Sequence, residues 1–209
     1  MDEDNEVGLP QKGINQIIKA LISKANSYSL FIEFNNECIC CVKLTKEFAV
    51  TALHCIPDEF RVLGKHVLLQ DHGGKEHRAQ IHSMNSLSDY AVFKKEEGHF
   101  DNVPNIIVPN ILDQYIAVGS SFGELKLSYR IGHVSTISNG TNGFIYGTSG
   151  GLPGYSGGGI YHVRTGNLIG ITRGNQYEGK GTHTYGDILE IISAQVIYRD
   201  IEMFGQFNI

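Results

Sequence analysis

Short runs of β-branched and aromatic residues, separated by turn residues, occupy most of the chain beyond residue 27. Many short strands at this spacing are typical of an antiparallel barrel or sandwich, whereas a parallel α/β sheet needs a helical segment between consecutive strands. The sequence therefore predicts an all-β fold. The predicted strands are YSLFIEF, ICCVKLT, FAVTAL, HVLLQ, YAVFK, NIIVP, YIAVGS, HVSTIS, GFIYGT, GIYHV, NLIGIT and GTHTY.

Two segments with helical periodicity flank the predicted strands. Residues 186–204 show this periodicity near the end of the chain, and Asp187 and Glu190 have the spacing of a helix start signal, which predicts a C-terminal helix. Residues 13–25 predict an amphipathic N-terminal helix that packs on the outside of the β-structure. Its apolar face consists of Ile14, Ile17, Ile18, Leu21 and Ile22.

The polar stretch KKEEGHFDNVPN, residues 94–105, divides the strands into two roughly equal groups. A polar segment that carries a proline is typical of a link between structural units. We therefore predict an N-terminal extension with its helix at residues 1–29, a first β-unit at residues 30–100, and a second β-unit with the C-terminal helix at residues 101–209.

Charge and hydropathy exclude several classes of partner. The 209 residues carry a net charge of -5 and have a pI near 6.0, so we expect no nucleic-acid partner. No run approaches the roughly 18 to 20 apolar residues of a membrane span, and the acidic start MDEDNEVGLP differs from the basic start of a secretory signal. We therefore expect an intracellular, cytoplasmic protein. The sequence leaves the oligomeric state open.

The cysteines are confined to one short region. Cys38, Cys40, Cys41 and Cys55 lie there, and the rest of the chain has none, which is not a disulfide framework. Adjacent cysteines on a strand point to opposite faces, and no Cys/His pair follows at zinc-finger spacing. The pattern favours free thiols over a zinc site, and we expect neither a metal ion nor another cofactor.

The segment GGLPGYSGGGI, residues 150–160, surrounds Ser156 with six glycines. A serine hydroxyl is a useful nucleophile only when a base accepts its proton, and an imidazole is the usual base. His54 ends the apolar run FAVTALHC, which predicts a strand that delivers the histidine to a turn. Asp89, in LSDYAVFK, offers a carboxylate for the second ring nitrogen at the mouth of another strand. Ser156, His54 and Asp89 are therefore the candidate nucleophile, base and acid.

These three segments resemble the motifs of the chymotrypsin-like (trypsin-like) serine proteases. VTALHC is similar to the histidine motif T-A-x-H-C, and SDYAVFK is similar to the aspartate motif D-[IYL]-A-[LV]. PGYSGGGIYHVRTGNLIGIT resembles the P-G-x-S-G-G segment and the next two strands of the compact branch, which includes high-temperature-requirement and glutamyl endopeptidases. The resemblance runs from about Cys41 to the C-terminus and implies two six-stranded antiparallel β-barrels.

The resemblance also implies a chemistry. The family cleaves peptide bonds by acyl transfer, without a cofactor, so a protein or peptide substrate is expected here. Its oxyanion hole consists of the backbone N–H groups of the nucleophile and of the residue two positions before it, which are Ser156 and Gly154 in this sequence. Glycine reaches most easily the backbone turn that points both groups at one oxygen.

Two departures from the family affect processing and redox state. In the digestive and clotting branch an aspartate before the nucleophile pairs with a new N-terminus, but Tyr155 stands at that position here. We therefore expect activity without proteolytic activation. The family often bridges the cysteine after the histidine, so the resemblance implies a Cys55–Cys40 pair, although an intracellular location favours reduced thiols.

By the same resemblance, the pocket for the residue before the scissile bond (P1) is built from Gly150 or its neighbours and from the strands IGITRG and GTHTYG. None of residues 148–153 is charged, so we expect no cleavage after Lys or Arg, because burying an unpaired charge is costly. Thr172, Arg173 and His183 are candidate pocket residues that favour Gln, Glu or Asp at P1. Packed or solvated roles for His183 and Arg173 are an equal alternative.

Three alternative functions remain open. GYSGG also satisfies the G-x-S-x-G motif of α/β-hydrolase esterases, but that motif needs a helix directly after the serine, whereas GGGIYHV follows here. A protease-like fold that only binds other molecules retains the same segments without activity. A main protease of a positive-strand RNA virus is a third, narrower reading within the same fold.

Overall fold

The computed structural model describes residues 11–121, 126–138, 143–175 and 188–206. The strands in these ranges form two closed barrels, each of six antiparallel strands, and one α-helix lies near each end of the chain. The predicted all-β fold with two six-stranded barrels and two flanking helices is therefore confirmed.

The first barrel has the strand order β1-β2-β3-β6-β5-β4 and is closed by the pairing of β1 with β4. Phe31 faces Gln70 across that closing pair. The strands are β1 (Ser29–Phe34), β2 (Glu37–Lys43), β3 (Phe48–Ala52), β4 (His66–Asp71), β5 (Glu76–Asn85) and β6 (Tyr90–Lys95).

The second barrel has the strand order β10-β11-β12-β9-β8-β7 and is closed by the pairing of β10 with β7. Ile160 faces Ala117 across that pair. The strands are β7 (Gln114–Ser120), β8 (Leu127–Ile137), β9 (Phe144–Gly147), β10 (Gly159–His162), β11 (Leu168–Asn175) and β12 (Leu189–Ser193).

The hydrophobic core lies inside each barrel and also between the two. Along β1, Leu30 and Ile32 belong to the core of the first barrel, whereas Phe31 belongs to the cluster that joins the barrels. Both faces of this strand are thus buried, which explains its nearly continuous apolar sequence. The joining cluster also contains Val118 and Ile171 from the second barrel, so the two barrels share one packed interface.

The two helices, one near each end of the chain, both pack against this interface. Helix α1 (Gln11–Tyr28) buries Leu21 and Ala25, and helix α2 (Ala194–Gln206) buries Ile197 and Ile201. In each helix the two buried residues are four positions apart, so they lie on one face. Neither helix, as far as its residues are described, is long and apolar enough to cross a membrane.

Three details of the sequence prediction need correction. The run NIIVP forms a single bridge, Ile106 with Leu168, and not a strand. Strand β5 was not predicted, because its outward positions are polar. Strand β12 lies within the predicted C-terminal helix, because Leu189 and Ile191 close the second barrel against β9 and β11. The predicted strand GTHTY lies outside the described residues.

Candidate active site

His54 lies in a 3-10 turn, Leu53–Cys55, that directly follows β3. Leu53 is buried, and its N–H donates to the main-chain oxygen of Asp89 at 3.0 Å, which fixes the turn against the start of β6. The His54 N–H donates to Asp89 Oδ1 at 2.9 Å, and His54 Nδ1 lies 2.7 Å from Asp89 Oδ2. The Asp89 carboxylate therefore orients the His54 ring and also binds the backbone of His54.

The backbone of Asp89 adopts the left-handed conformation, with φ +58°. Aspartate tolerates this conformation better than most residues do, because its short polar side chain forms local hydrogen bonds. The next residue, Tyr90, is buried, and its hydroxyl donates to the Asp200 carboxylate on α2. Asp89 thus lies in a turn that is anchored on one side to the 3-10 turn after β3 and on the other to the C-terminal helix.

The close contact between the two side chains changes the acidity of both. The Asp89 hydrogen bond raises the pKa of His54, with a further increase from Cys55, and these effects exceed the opposing effect of burial. Burial raises the pKa of Asp89, but the hydrogen bonds from His54 and Arg173 outweigh it, so the pKa of this carboxyl is lowered. Asp89 is therefore ionised at neutral pH, and His54 holds a proton more firmly than a free imidazole does.

Ser156 lies in the glycine-rich loop between β9 and β10. Its hydroxyl donates to the main-chain oxygen of Arg173 at 3.0 Å. Among the described residues, no hydrogen bond joins this hydroxyl to the His54 ring, so the nucleophile and base are not yet engaged. Catalytic hydrogen bonds often form only when substrate is bound.

The backbone around Ser156 alternates between N–H groups that have an acceptor and N–H groups that have none. The N–H groups of Tyr155 and Gly157 donate to Leu152 and Thr172 main-chain oxygens at 3.0 and 2.8 Å. In the described part of the chain no acceptor binds the N–H of Gly154 or Ser156. Gly154 has φ +92°, a conformation that glycine adopts readily. The two free N–H groups are those predicted to form the oxyanion hole.

A family comparison accounts for this arrangement. The sequence model of the family named trypsin-like peptidase domain matches residues 40–171, which contain His54, Asp89 and Ser156. This chain belongs to the trypsin-like peptidase family. The predicted relation to chymotrypsin-like serine proteases is confirmed, and membership supports a protease function for the chain.

A solved structure with the same fold is the serine endoprotease from Yersinia pestis. It superimposes on this trypsin-like peptidase with a TM-score of 0.71 over 95% of this chain and 67% of that chain, at 20% sequence identity. At this identity the likeness shows the fold and not a shared substrate. A search of curated protein sequences finds no match to this chain.

Arg173 occupies a different place in this trypsin-like peptidase from the one predicted. Its Nε donates to Asp89 Oδ2 at 3.1 Å, and its Nη1 donates to Glu190 Oε2. The guanidinium is therefore held by two carboxylates, and Arg173 is not among the described residues that line the cavity beside Ser156. Glu190 was predicted in the first turn of a helix, so no sequence signal pointed to this contact.

A cavity of about 220 Å³ is lined by Ser156 and by residues of two segments that were predicted to form the P1 pocket. Thr172 lines it and is buried, and its hydroxyl has no hydrogen-bond partner among the described residues. Asn175 accepts from the Gly151 N–H at 2.5 Å and donates to the Gly151 main-chain oxygen at 3.1 Å, which joins the two walls. Gly151, and not Gly150, lines the cavity, and His183 lies outside the described residues.

A second cleft that Ser156 lines contains two cysteines. Cys38 and Cys55 line it together with Gly154, and all four cysteines of the chain are free thiols in the structure. Cys40 is buried, accepts from the Ser120 N–H at 3.0 Å and donates to the Gly154 main-chain oxygen at 3.4 Å. Among the described residues, no group of three His, Cys, Asp or Glu side chains is arranged to hold a metal ion.

Proposed function

We propose that the protein is a serine endopeptidase that cleaves peptide bonds through an acyl-enzyme. The contact of 2.7 Å between His54 Nδ1 and Asp89 Oδ2 carries this proposal. A carboxylate at Nδ1 favours the tautomer whose Nε2 is unprotonated, and that nitrogen is the base that Ser156 needs. The family and the fold support the same assignment.

In the proposed mechanism, Ser156 Oγ attacks the scissile carbonyl carbon while His54 accepts its proton. The carbonyl oxygen becomes an oxyanion and binds the N–H groups of Gly154 and Ser156. The imidazolium then protonates the leaving amine. A water molecule next gives a proton to His54 and attacks the acyl carbon, and Ser156 leaves with the proton that His54 returns. Asp89 stabilises the imidazolium without accepting a proton, in agreement with the lowered pKa of its carboxyl.

The P1 cavity supports a neutral substrate side chain at this position. Its described lining has no charged residue and consists of Gly151, Leu152, Pro153, Tyr155, Ser156, Thr172, Gly174 and Asn175. A Lys or Arg side chain would be buried there without a counter-charge, so we expect neither at P1. The unpaired Thr172 hydroxyl supports a polar residue, and a proteome-derived peptide library measures the preference directly.

We also propose that the chain is active without proteolytic activation. Tyr155 is buried, and its hydroxyl lies 2.8 Å from Ser128 Oγ. A neutral, hydrogen-bonded side chain thus fills the position from which an aspartate would bind a new N-terminus. The Ser156 loop gains its anchor from this contact and needs no liberated ammonium group.

The decisive experiment compares peptide hydrolysis by the wild type with Ser156→Ala and Ser135→Ala. We expect Ser156→Ala to reduce turnover by roughly a millionfold, as in comparable triads, because no other residue replaces the nucleophile. Ser135 is an exposed serine on β8 and serves as the matched control, with activity unchanged. Retention of a tenth of the activity by Ser156→Ala contradicts the proposal, and hydrolysis of esters alone indicates an esterase.

A further inference from the structure

Asp89, Arg173 and Glu190 form a network of ion pairs. Arg173 Nε donates to Asp89 Oδ2 at 3.1 Å, and Arg173 Nη1 donates to Glu190 Oε2 on β12. The Asp89 and Glu190 side chains are each 13% exposed, and the Arg173 side chain is 37% exposed. Two largely buried carboxylates thus share one guanidinium, and the planar fork of arginine suits such a bridge.

A β-bulge places Arg173 in this position. On β11, Thr172 pairs with Ile191 and Gly174 pairs with Glu190, so Arg173 is the extra residue between two consecutive partners on β12. A bulge turns its side chain away from the regular alternation of the strand. The guanidinium also lies over the Phe144 ring, 5.0 Å from its centroid, which holds it from a third side.

We propose that Arg173 is a positioning residue of the catalytic triad, which orients the Asp89 carboxylate toward His54 and is itself held in place by Glu190. This inference rests on the proposed function of His54, Asp89 and Ser156. The main-chain oxygen of Arg173 accepts the Ser156 hydroxyl, so one residue contacts two members of the triad. The bulge therefore couples the position of the acid to that of the nucleophile.

The charges of Arg173 and Glu190 act on His54 with opposite signs. A cation beside Asp89 makes the imidazolium less favourable, so it lowers the pKa of His54, and the Glu190 carboxylate opposes this effect. The other ionisable groups of the cleft are Cys38, Cys55 and Glu37, and the substitutions proposed below leave them unchanged. If the bulge had only a structural role, substitution of Arg173 and of Glu190 would not shift the pKa of His54 in opposite directions.

The test titrates His54 by NMR in protein labelled with ¹⁵N-histidine, in wild type, Arg173→Met, Glu190→Gln and the double variant. We expect Arg173→Met to raise the pKa of His54 by about half a unit or more, and Glu190→Gln to lower it by a similar amount. The double variant is expected near the wild-type value because both charges are removed. Arg164→Met, in an exposed turn of the same barrel, is the matched control.

Steady-state kinetics on the same variants separate positioning from substrate binding. We expect Arg173→Met to lower kcat at least tenfold with KM within about twofold, because the orientation of the acid matters mainly in the transition state. Arg173→Lys keeps the charge and is expected to retain the pKa of His54, but to recover kcat only in part, since one ammonium does not bridge both carboxylates.

The possible outcomes distinguish this inference from the proposed function. Unchanged values of the pKa of His54 in both single variants, or shifts of the same sign, overturn the role of Arg173 even if Ser156→Ala abolishes hydrolysis. Opposite shifts in a protein without peptidase activity support the positioning role and contradict the proposed function. If Arg173→Met does not fold, Glu190→Gln alone decides, because it must lower the pKa of His54.

Discussion

Asp89 shows how much of the candidate site depends on one backbone conformation. Its φ of +58° turns the carboxylate back toward the 3-10 turn, where it accepts from both the N–H and the ring of His54. A β-branched residue does not tolerate this conformation, and aspartate does. The residue thus combines the chemistry of an acid with the conformational tolerance of a turn former.

The raised pKa of His54 leads to a prediction for the pH dependence of the reaction. Only the neutral imidazole accepts a proton from Ser156, so activity is lost as the pH falls through the pKa of His54. Because the hydrogen bond to Asp89 raises this pKa, the acidic limb of kcat/KM is expected above the ordinary imidazole value near 6.5.

A pH profile of kcat/KM for peptide hydrolysis measures this limb. The matched variant Asp89→Asn keeps a residue that tolerates the left-handed backbone but removes the charge, so it is expected to move the limb to lower pH and reduce kcat by about ten-thousandfold. A limb below pH 6.5 in the wild type (roughly the free imidazole value) contradicts the account.

The sequence allowed the three triad candidates to be predicted because each depends on local signals. His54 follows a strand, Asp89 precedes one, and Ser156 lies among glycines. The ion pair of Arg173 with Glu190 could not be predicted, because it depends on a bulge between two strands and on their register. Such a pairing is long-range information that neither composition nor periodicity contains.

Among the strands and helices, β12 shows that helical periodicity alone does not identify a helix. Its sequence LEIIS continues into the helical segment AQVIYRDIEMFGQ, and the apolar residues of both fit one helical pattern. Leu189 and Ile191 are buried inside the second barrel and Ile192 in the cluster that joins the barrels, and this burial overrides the helical pattern. The chain becomes helical only at Ala194. A short, continuous apolar run does not distinguish a buried strand from a helix.

Helix α1 is attached to the first barrel by a buried lysine. Lys43 on β2 is 4% exposed, and its Nζ donates to the main-chain oxygens of Ser27 at 2.7 Å and Asp101 at 3.1 Å. Burial lowers the pKa of this ammonium, and nearby Asp71 and Asp101 oppose that effect. One side chain therefore joins the end of α1 to the segment after β6.

We expect Lys43→Met to lower the free energy of unfolding by about 1–3 kcal/mol, because the main-chain oxygens of Ser27 and Asp101 lose a donor that lies on a buried side chain. Urea denaturation of the purified protein measures this change. Lys46→Met, at an exposed position shortly after β2, is the control and is expected to change stability by less than about 0.5 kcal/mol. Equal stability of the two variants contradicts the proposed attachment.

At the scale of the whole molecule, the candidate site forms where the two barrels meet. His54 and Asp89 come from the first barrel, and Ser156 comes from the second. The loop that carries Ser156 packs directly against β2 and β3. Thr51 Oγ1 on β3 donates to the Cys40 main-chain oxygen on β2 at 2.6 Å, and a Cβ at Gly157 would lie 2.2 Å from that hydroxyl and 2.3 Å from that oxygen.

Gly157→Ala is therefore expected to separate the barrels and lower the free energy of unfolding by more than about 2 kcal/mol, since a backbone oxygen blocks the methyl group and φ is +80°. Gly174→Ala is the control for stability, because a Cβ there meets nothing within 4 Å. Urea denaturation compares the two, and a Gly157→Ala protein as stable as Gly174→Ala contradicts the close approach of the barrels.

We propose that the uncleaved chain is reactive at Ser156, with His54 as base and Asp89 as its partner. Intact-mass spectrometry of the full chain after incubation with a fluorophosphonate tests it most directly, with Ser156→Ala and His54→Ala as controls. We predict one adduct per uncleaved chain, located at Ser156 by peptide mapping, and none in either variant. An unlabelled full chain that reacts only after cleavage near residue 30, or equal labelling of Ser156→Ala, would contradict the account.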